Sequence, residues 1–106
     1  MVDEIVINLV KKYLIALKRE GINITKSIIF GSCARGTAGK ESDIDLLLVS
    51  PLFDNDEDKY SGKIWRLTKI SDYKIEPITI GEKRFNEDKG LIIIDIAKNE
   101  GYEVII

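Results

Sequence analysis

The chain reads GSCARG at residues 31–36 and, after a short polar stretch, SDIDLLLV at residues 42–49. The second stretch has the composition of a buried β-strand that begins with two aspartates separated by one residue. Side chains alternate between the two faces of a strand, so Asp43 and Asp45 point the same way while Ile44 points into the core. Neighbouring carboxylates repel each other, and a hard divalent cation such as Mg²⁺ relieves that repulsion. The sequence therefore predicts a metal-binding pair where this strand begins.

The first stretch predicts a phosphate-binding turn. Gly31 lets the backbone approach a ligand closely, and amides at such a turn can meet phosphate oxygens. If Ser32 to Arg35 begin a helix, its free N–H groups and the positive end of its dipole face the same anion. A phosphate group, a metal ion and two acids are thus expected to meet at one place.

The composition limits the chemistry that is available. The chain has 106 residues, 44% of them hydrophobic and 32% charged, which fits one domain spanning residues 1–106. It has no histidine, which excludes Ser-His-Asp and Cys-His catalysis and leaves carboxylates as the candidate metal ligands. Its one cysteine, Cys33, excludes an internal disulfide and is expected to be a small packed side chain rather than a nucleophile.

The charge and hydropathy pattern limits the partners. A net charge of −2 predicts no strong bulk affinity for nucleic acid. No apolar run approaches the length of a membrane span, and the first residues favour a charged helix over a signal peptide. We therefore expect a cytoplasmic protein without a membrane partner.

Hydrophobic periodicity predicts an α+β fold, with a small mixed β-sheet and helices packed on one face that leave the other face free for the site. Because Pro77 lacks the N–H for one ladder hydrogen bond, its strand is expected at the edge of the sheet. A polar connection is expected after Gly81. Helices are predicted at 3–20 and 91–99, and a further helix, with Tyr60, Ile64 and Leu67 on one face, is predicted after the acidic segment 54–58. Strands are predicted at 24–30, 43–50, 73–80 and 102–106.

Together the two stretches resemble the signature of the polymerase-beta-like nucleotidyltransferase superfamily, and the chain is similar in size to its minimal nucleotidyltransferase branch. The resemblance implies transfer of AMP from ATP to a hydroxyl with Mg²⁺, with two ions held by Asp43, Asp45 and a third catalytic acid on a later strand. Glu76 is our choice for that acid, and Asp72, at a predicted helix-to-strand turn, is the rival. The commoner family form has aspartate there, so the longer glutamate implies looser geometry for the attacking step.

The same resemblance suggests which residues hold the nucleotide. Gly31 and Ser32 are expected to bind the triphosphate. Arg35 either touches a phosphate or braces the loop by pairing with a carboxylate. Ser42 is expected to orient the loop ahead of the acids, and Lys40 either reaches a phosphate or is solvated.

The acceptor is expected to come from outside the chain, because larger relatives hold it on additional helical domains. Resemblance to minimal nucleotidyltransferases implies a HEPN-type helical toxin as partner, with AMP transferred to one of its tyrosines in a toxin-antitoxin arrangement. One alternative is a homo-oligomer, a dimer that modifies a small molecule such as an aminoglycoside. Another is a binding module that has lost turnover and acts by masking its partner.

Overall fold

A four-stranded mixed β-sheet forms the centre of the fold. Its strands are β1 (Lys26–Phe30), β2 (Ile44–Ser50), β3 (Ile75–Gly81) and β4 (Tyr102–Glu103). The order across the sheet is β3-β2-β1-β4, with β2 parallel to β3 and the other two pairs antiparallel. The structure is a computed structural model that describes residues 2–37, 39, 42–55, 58–87 and 91–106.

A helix is present at or close to each place where the sequence predicts one, and α4 is an addition. They are α1 (Glu4–Arg19), α2 (Ser32–Arg35), α3 (Asp58–Arg66), α4 (Glu82–Glu87) and α5 (Ile92–Glu100). The Asp3 carboxylate caps α1 by accepting a hydrogen bond of 2.9 Å from the Ile5 N–H. No helix in the described part of the chain is both long enough and apolar enough to cross a bilayer.

Strand β2 is central and buried on both faces, as its apolar run predicts. Leu46 and Leu48 belong to one apolar cluster, and Leu47 and Val49 belong to a second. This division follows from alternation along the strand, so each face of the sheet carries its own core.

The predicted α+β class with a small mixed sheet is confirmed, and α1 and α3 pack on the same face of the sheet. The second face is not left free as expected. Phe85 of α4 and Ile94 and Ala97 of α5 pack there with Leu47 and Val49. The site therefore shares this face with two short helices.

Strand β3 lies at the sheet edge, which confirms the prediction from Pro77. Pro77 is paired in register with Leu46 and is buried. Proline is tolerated in an edge strand because no strand on the outer side needs a hydrogen bond from the N–H that proline lacks.

The prediction of a polar connection after Gly81 was wrong, because helix α4 begins there. The Lys83 N–H donates to the two carboxylate oxygens of Asp54, at 3.2 and 3.3 Å. A Cβ atom at Gly81 would overlap the same Asp54 carboxylate. The cap of α4 thus comes from a residue 29 positions before Lys83, which local sequence patterns do not reveal.

Candidate active site

Three strands bring the predicted site residues to one end of the sheet. Asp45 is paired in register with Phe30 on β1 and with Glu76 on β3. The chain leaves β1 through Gly31 at this point. Paired residues in neighbouring strands share a face, so Asp45 and Glu76 lie side by side next to the turn at Gly31.

The turn at Gly31 has a backbone conformation that only glycine adopts readily. Its φ is 72° and its ψ is −151°, between the end of β1 and the start of α2. A Cβ atom at this position would overlap the Asp45 carboxylate. Both the torsion angles and the close approach of Asp45 therefore require glycine here.

Ser32 begins α2 and is half-buried. Its carbonyl oxygen accepts a hydrogen bond of 3.0 Å from the Thr37 N–H, which closes the turn that follows α2. Gly36 ends α2 in the left-handed conformation, with φ 76°. The stretch 31–36 thus forms a tight turn and one helical turn directly after β1, the arrangement predicted for a phosphate-binding loop.

Like charges dominate the electrostatics of the site. Burial raises the pKa of Asp45, and the negative charge of Asp43 raises it further, while Arg35 lowers it in part. The charge of Asp43 raises the pKa of Glu76, as does a hydrogen bond that protonated Glu76 donates to Asp43, with smaller contributions from burial and Asp45. The three carboxyl groups therefore repel one another unless a proton or a cation lies among them.

This repulsion makes stability depend on pH. Asp45 and Glu76 bind protons more tightly in the folded chain than in the unfolded one, so their contribution is largest below their ordinary pKa values. It is lost as pH rises through the raised values. We expect the metal-free protein to unfold at a lower urea concentration at pH 8 than at pH 5.5, and the Glu76→Gln variant to show a smaller loss. An equal loss in both proteins would contradict this origin.

The chemistry of the donor set fits a hard divalent cation. Carboxylate oxygens are the ligands that Mg²⁺ prefers, and a cation would relieve the repulsion that raises the pKa of Glu76. Within the described ranges, no group of three potential ligands is already arranged around a common metal position. Mg²⁺ is commonly held by one or two carboxylates together with water and substrate phosphates. Asp43 and Asp45 would therefore hold it jointly with a bound nucleotide.

Arg35 is placed as a brace, which is one of the two roles expected from the sequence. Its Nη1 lies 3.0 Å from Oε1 of Glu100 at the end of α5. About half of the Arg35 side chain is exposed, at 51%, so the pair is worth little to stability. Glu100 was missed by the sequence analysis, because nothing local marks a partner 65 residues away.

Ser42 lies in the loop before the acids. Its hydroxyl accepts a hydrogen bond of 2.9 Å from the Gly39 N–H, and its own N–H donates to the Gly39 carbonyl at 3.2 Å. These bonds fit the predicted orienting role. Lys40 lies outside the described residues.

The structure separates the two candidates for the third acid. Glu76 lies on β3 opposite Asp45. Asp72 instead caps the 3₁₀ turn Leu67–Ser71 in a left-handed conformation, with φ 58°, and its N–H donates back to that turn. Its neighbour Tyr73 also has a positive φ, of 63°. Asp72 therefore has a local role in the turn, whereas Glu76 belongs to the carboxylate cluster.

Cys33 is a packed side chain, as predicted. It is buried, and its thiol donates a hydrogen bond of 3.5 Å to the Asp43 carbonyl. Burial raises the pKa of Cys33, and the charges of Asp45 and Asp43 raise it further. The thiol is therefore unreactive at neutral pH and supports the loop that carries Asp43.

A tight glycine turn facing a pair of aspartates, with a third acid on a parallel neighbouring strand, defines a nucleotidyltransferase core. The family model for the nucleotidyltransferase domain matches residues 10–100, and the chain belongs to this family. It is a nucleotidyltransferase by both fold and family.

A solved structure has the same fold. It is the crystal structure of a Sulfolobus solfataricus protein assigned as a nucleotidyltransferase. The match has a TM-score of 0.57 and 20% identity, and it covers 92% of this chain and 77% of that chain. No curated protein matches the chain significantly. At this identity the likeness supports the fold alone.

Proposed function

We propose that the protein transfers AMP from ATP to a hydroxyl group in a Mg²⁺-dependent reaction. The observation that carries this proposal is the register that sets Glu76 beside Asp45, next to the Gly31 turn. The choice of ATP and AMP rests on the resemblance of residues 31–36 and 42–46 to minimal nucleotidyltransferases.

The roles of the residues follow from their positions. Gly31 and Ser32 bind the phosphates, and Asp43, Asp45 and Glu76 are the residues that would hold two Mg²⁺ ions. Bound Mg²⁺ supplies charge neutralisation at the α-phosphate and the leaving pyrophosphate. The acceptor oxygen forms a bond to the α-phosphorus, the bond from that phosphorus to the bridging oxygen breaks, and pyrophosphate leaves. The hydroxyl proton passes to the Glu76 carboxylate, which is exposed on β3 beside Asp45.

The acceptor is a tyrosine of a HEPN-type helical partner, which places the protein on the antitoxin side of a toxin-antitoxin pair. Exposed apolar side chains on α5 support a protein partner, since Ile92 is 75% exposed and Ile96 is 38% exposed. The same helix ends at Glu100, which pairs with Arg35 beside the site. A partner bound along α5 would therefore lie next to the carboxylates.

Labelled ATP tests the reaction. The protein is incubated with Mg²⁺, a HEPN-type partner and ATP that carries ³²P at either the α or the γ position. We expect label on the partner from α-labelled ATP only, with the γ label recovered in pyrophosphate. Transfer of the γ label would indicate a kinase and contradict the proposal.

The second candidate function is that of a binding module without turnover, which acts by masking its partner. It is favoured by one observation, that no three ligands in the described part of the chain are arranged in advance around a metal position. In the same experiment this candidate predicts a stable complex with the partner, nucleotide binding and no label transfer.

Glu76 and Asp72 are distinguished by a matched pair of variants. We expect Glu76→Gln to lower the transfer rate at least about 10-fold, because the amide cannot take a proton or bind a cation as well. Asp72→Asn keeps a side chain that tolerates the left-handed conformation and is expected to transfer at nearly the normal rate. An active Glu76→Gln protein beside an inactive Asp72→Asn protein would assign the third acid to Asp72.

A further inference from the structure

A cavity of about 330 Å³ lies on the sheet beyond the carboxylates, and none of the residues that line it belongs to the carboxylate cluster or to the Gly31 turn. Leu47 on β2 and Ile78 and Ile80 on β3 line its floor. Ile93 of α5 and Arg84 of α4 line its sides. We call this space the Ile78 cavity.

The Ile78 cavity adjoins the acids along both strands. Leu47 follows Asp45 by two residues, Ile78 follows Glu76 by two residues, and Leu47 and Ile78 are themselves paired in register. Residues two apart on a strand share a face and lie about 7 Å apart. The part of the floor formed by Leu47 and Ile78 is therefore one side-chain layer away from Asp45 and Glu76, on the same face, and Ile80 lies one layer further along β3.

The in-line geometry of the reaction indicates which substrate approaches from the side of the Ile78 cavity. In phosphoryl and nucleotidyl transfer, the attacking oxygen and the leaving oxygen lie roughly in line on opposite sides of the phosphorus. The Gly31 turn is on the β1 side of the aspartates and Glu76 is on the β3 side. With pyrophosphate leaving on the β1 side, the acceptor hydroxyl approaches from the β3 side, over Glu76.

The walls of the cavity select the chemistry of the acceptor. The aliphatic side chains of Leu47, Ile78 and Ile93 suit an apolar body. Arg84 is the cation among the described lining residues, and the lining carboxylate, Asp54, already accepts hydrogen bonds from the Lys83 N–H. Such a lining disfavours a polycationic aminosugar and suits a neutral aromatic group.

We infer that the Ile78 cavity holds the apolar body of the acceptor, a phenol, while the acceptor hydroxyl reaches Glu76. This inference rests on the proposed function and adds the place in the fold where the acceptor binds. It makes Ile78 and Ile93 determinants of acceptor specificity that do not touch the nucleotide.

Binding is tested separately from turnover, with N-acetyl-L-tyrosinamide as the probe. Protein labelled at the isoleucine δ-methyl groups is saturated with Mg²⁺ and a non-hydrolysable ATP analogue, and the probe is then titrated. We expect the probe to shift the methyl signals of Ile78, Ile80 and Ile93 and to leave that of Ile70 unchanged. Shifts of those three methyls by the analogue alone would show that the nucleobase fills the cavity. Either that result or probe-induced shifts confined to other methyls would overturn the inference.

Kinetics with the same probe provide the second test. Ile78 is 36% exposed, so Ile78→Trp can fill the cavity without burying the larger ring in the core. We expect the KM for the probe to rise at least about 10-fold and the KM for ATP to stay unchanged, with Ile93→Trp as a second variant from the opposite wall. Ile70→Trp is the control, because Ile70 is 40% exposed and does not line the cavity.

The outcomes separate the inference from the proposed function. Transfer to the probe with an unchanged KM in both tryptophan variants would overturn the inference and leave the proposed function standing. If the wild-type protein binds the probe at the three methyls but transfers no AMP, the binding site is supported and the proposed function fails.

Discussion

Replacement of Asp43 by asparagine is expected to lower the rate of nucleotidyl transfer at least about 100-fold, because the variant loses a charged metal ligand. The same change is expected to raise the melting temperature of the metal-free protein slightly, since solvent screens exposed charges. Asp43 is the largest cause of the raised pKa of Glu76 and also raises that of Asp45, so its removal relieves repulsion. Transfer of labelled AMP and thermal unfolding in EDTA measure the two effects.

The opposite signs of these effects make the prediction specific. A merely structural aspartate would lose activity and stability together. Asp58→Asn is the control, since Asp58 is an exposed aspartate at the start of α3, outside the carboxylate cluster and on a different helix from α5, and we expect it to change neither quantity. Undiminished transfer by the Asp43→Asn variant would remove Asp43 from the site.

Gly31→Ala is expected to have the second large effect, on stability as well as on transfer. The φ of 72° with ψ of −151° lies in a region that is almost exclusive to glycine, and the added Cβ would overlap the Asp45 carboxylate. Backbone strain of this kind costs about 1–3 kcal/mol, before any displacement of Asp45 is counted. We expect a melting temperature lower by several degrees and transfer reduced at least about 100-fold.

Gly62→Ala is the matched control for this substitution. Gly62 lies inside α3, and a Cβ there would have no neighbour within 4 Å. Alanine is favoured over glycine in a helix by about 0.5–1 kcal/mol, so this variant should be slightly more stable and fully active. If Gly31→Ala were as stable and active as Gly62→Ala, the turn would have no special role.

The sequence predicts those parts of the site that depend on local chain geometry. Alternation along one strand places Asp43 and Asp45 on the same side, and no tertiary information is needed for that. The burial of β2 follows from its apolar run, and the edge position of β3 follows from Pro77, because each is a property of the strand itself.

The remaining features depend on contacts between distant segments. The pairing of Glu76 with Asp45 is set by the register between β2 and β3, two strands that are distant in sequence. Helix α4 is capped by Asp54, and Arg35 is paired with Glu100, and both partners come from other elements. The second core, around Phe85, was not predicted because helix α4, which carries Phe85, was not predicted.

The cluster of acids at the site opposes the stability of the fold. Three carboxyl groups are held at one end of the sheet although their charges raise the pKa values of Asp45 and Glu76. A protein that needed only stability would replace them by neutral side chains. Retaining this repulsion is reasonable where a cation and a nucleotide relieve it during function.

A crystal structure with Mn²⁺ and a non-hydrolysable ATP analogue tests the central claim most directly, because the anomalous scattering of manganese locates the ion. We predict an anomalous peak in contact with carboxylate oxygens of Asp43 and Asp45, with the phosphates of the analogue against Gly31 and Ser32. A peak elsewhere, with both carboxylates turned away from the ion and the phosphates, would contradict it.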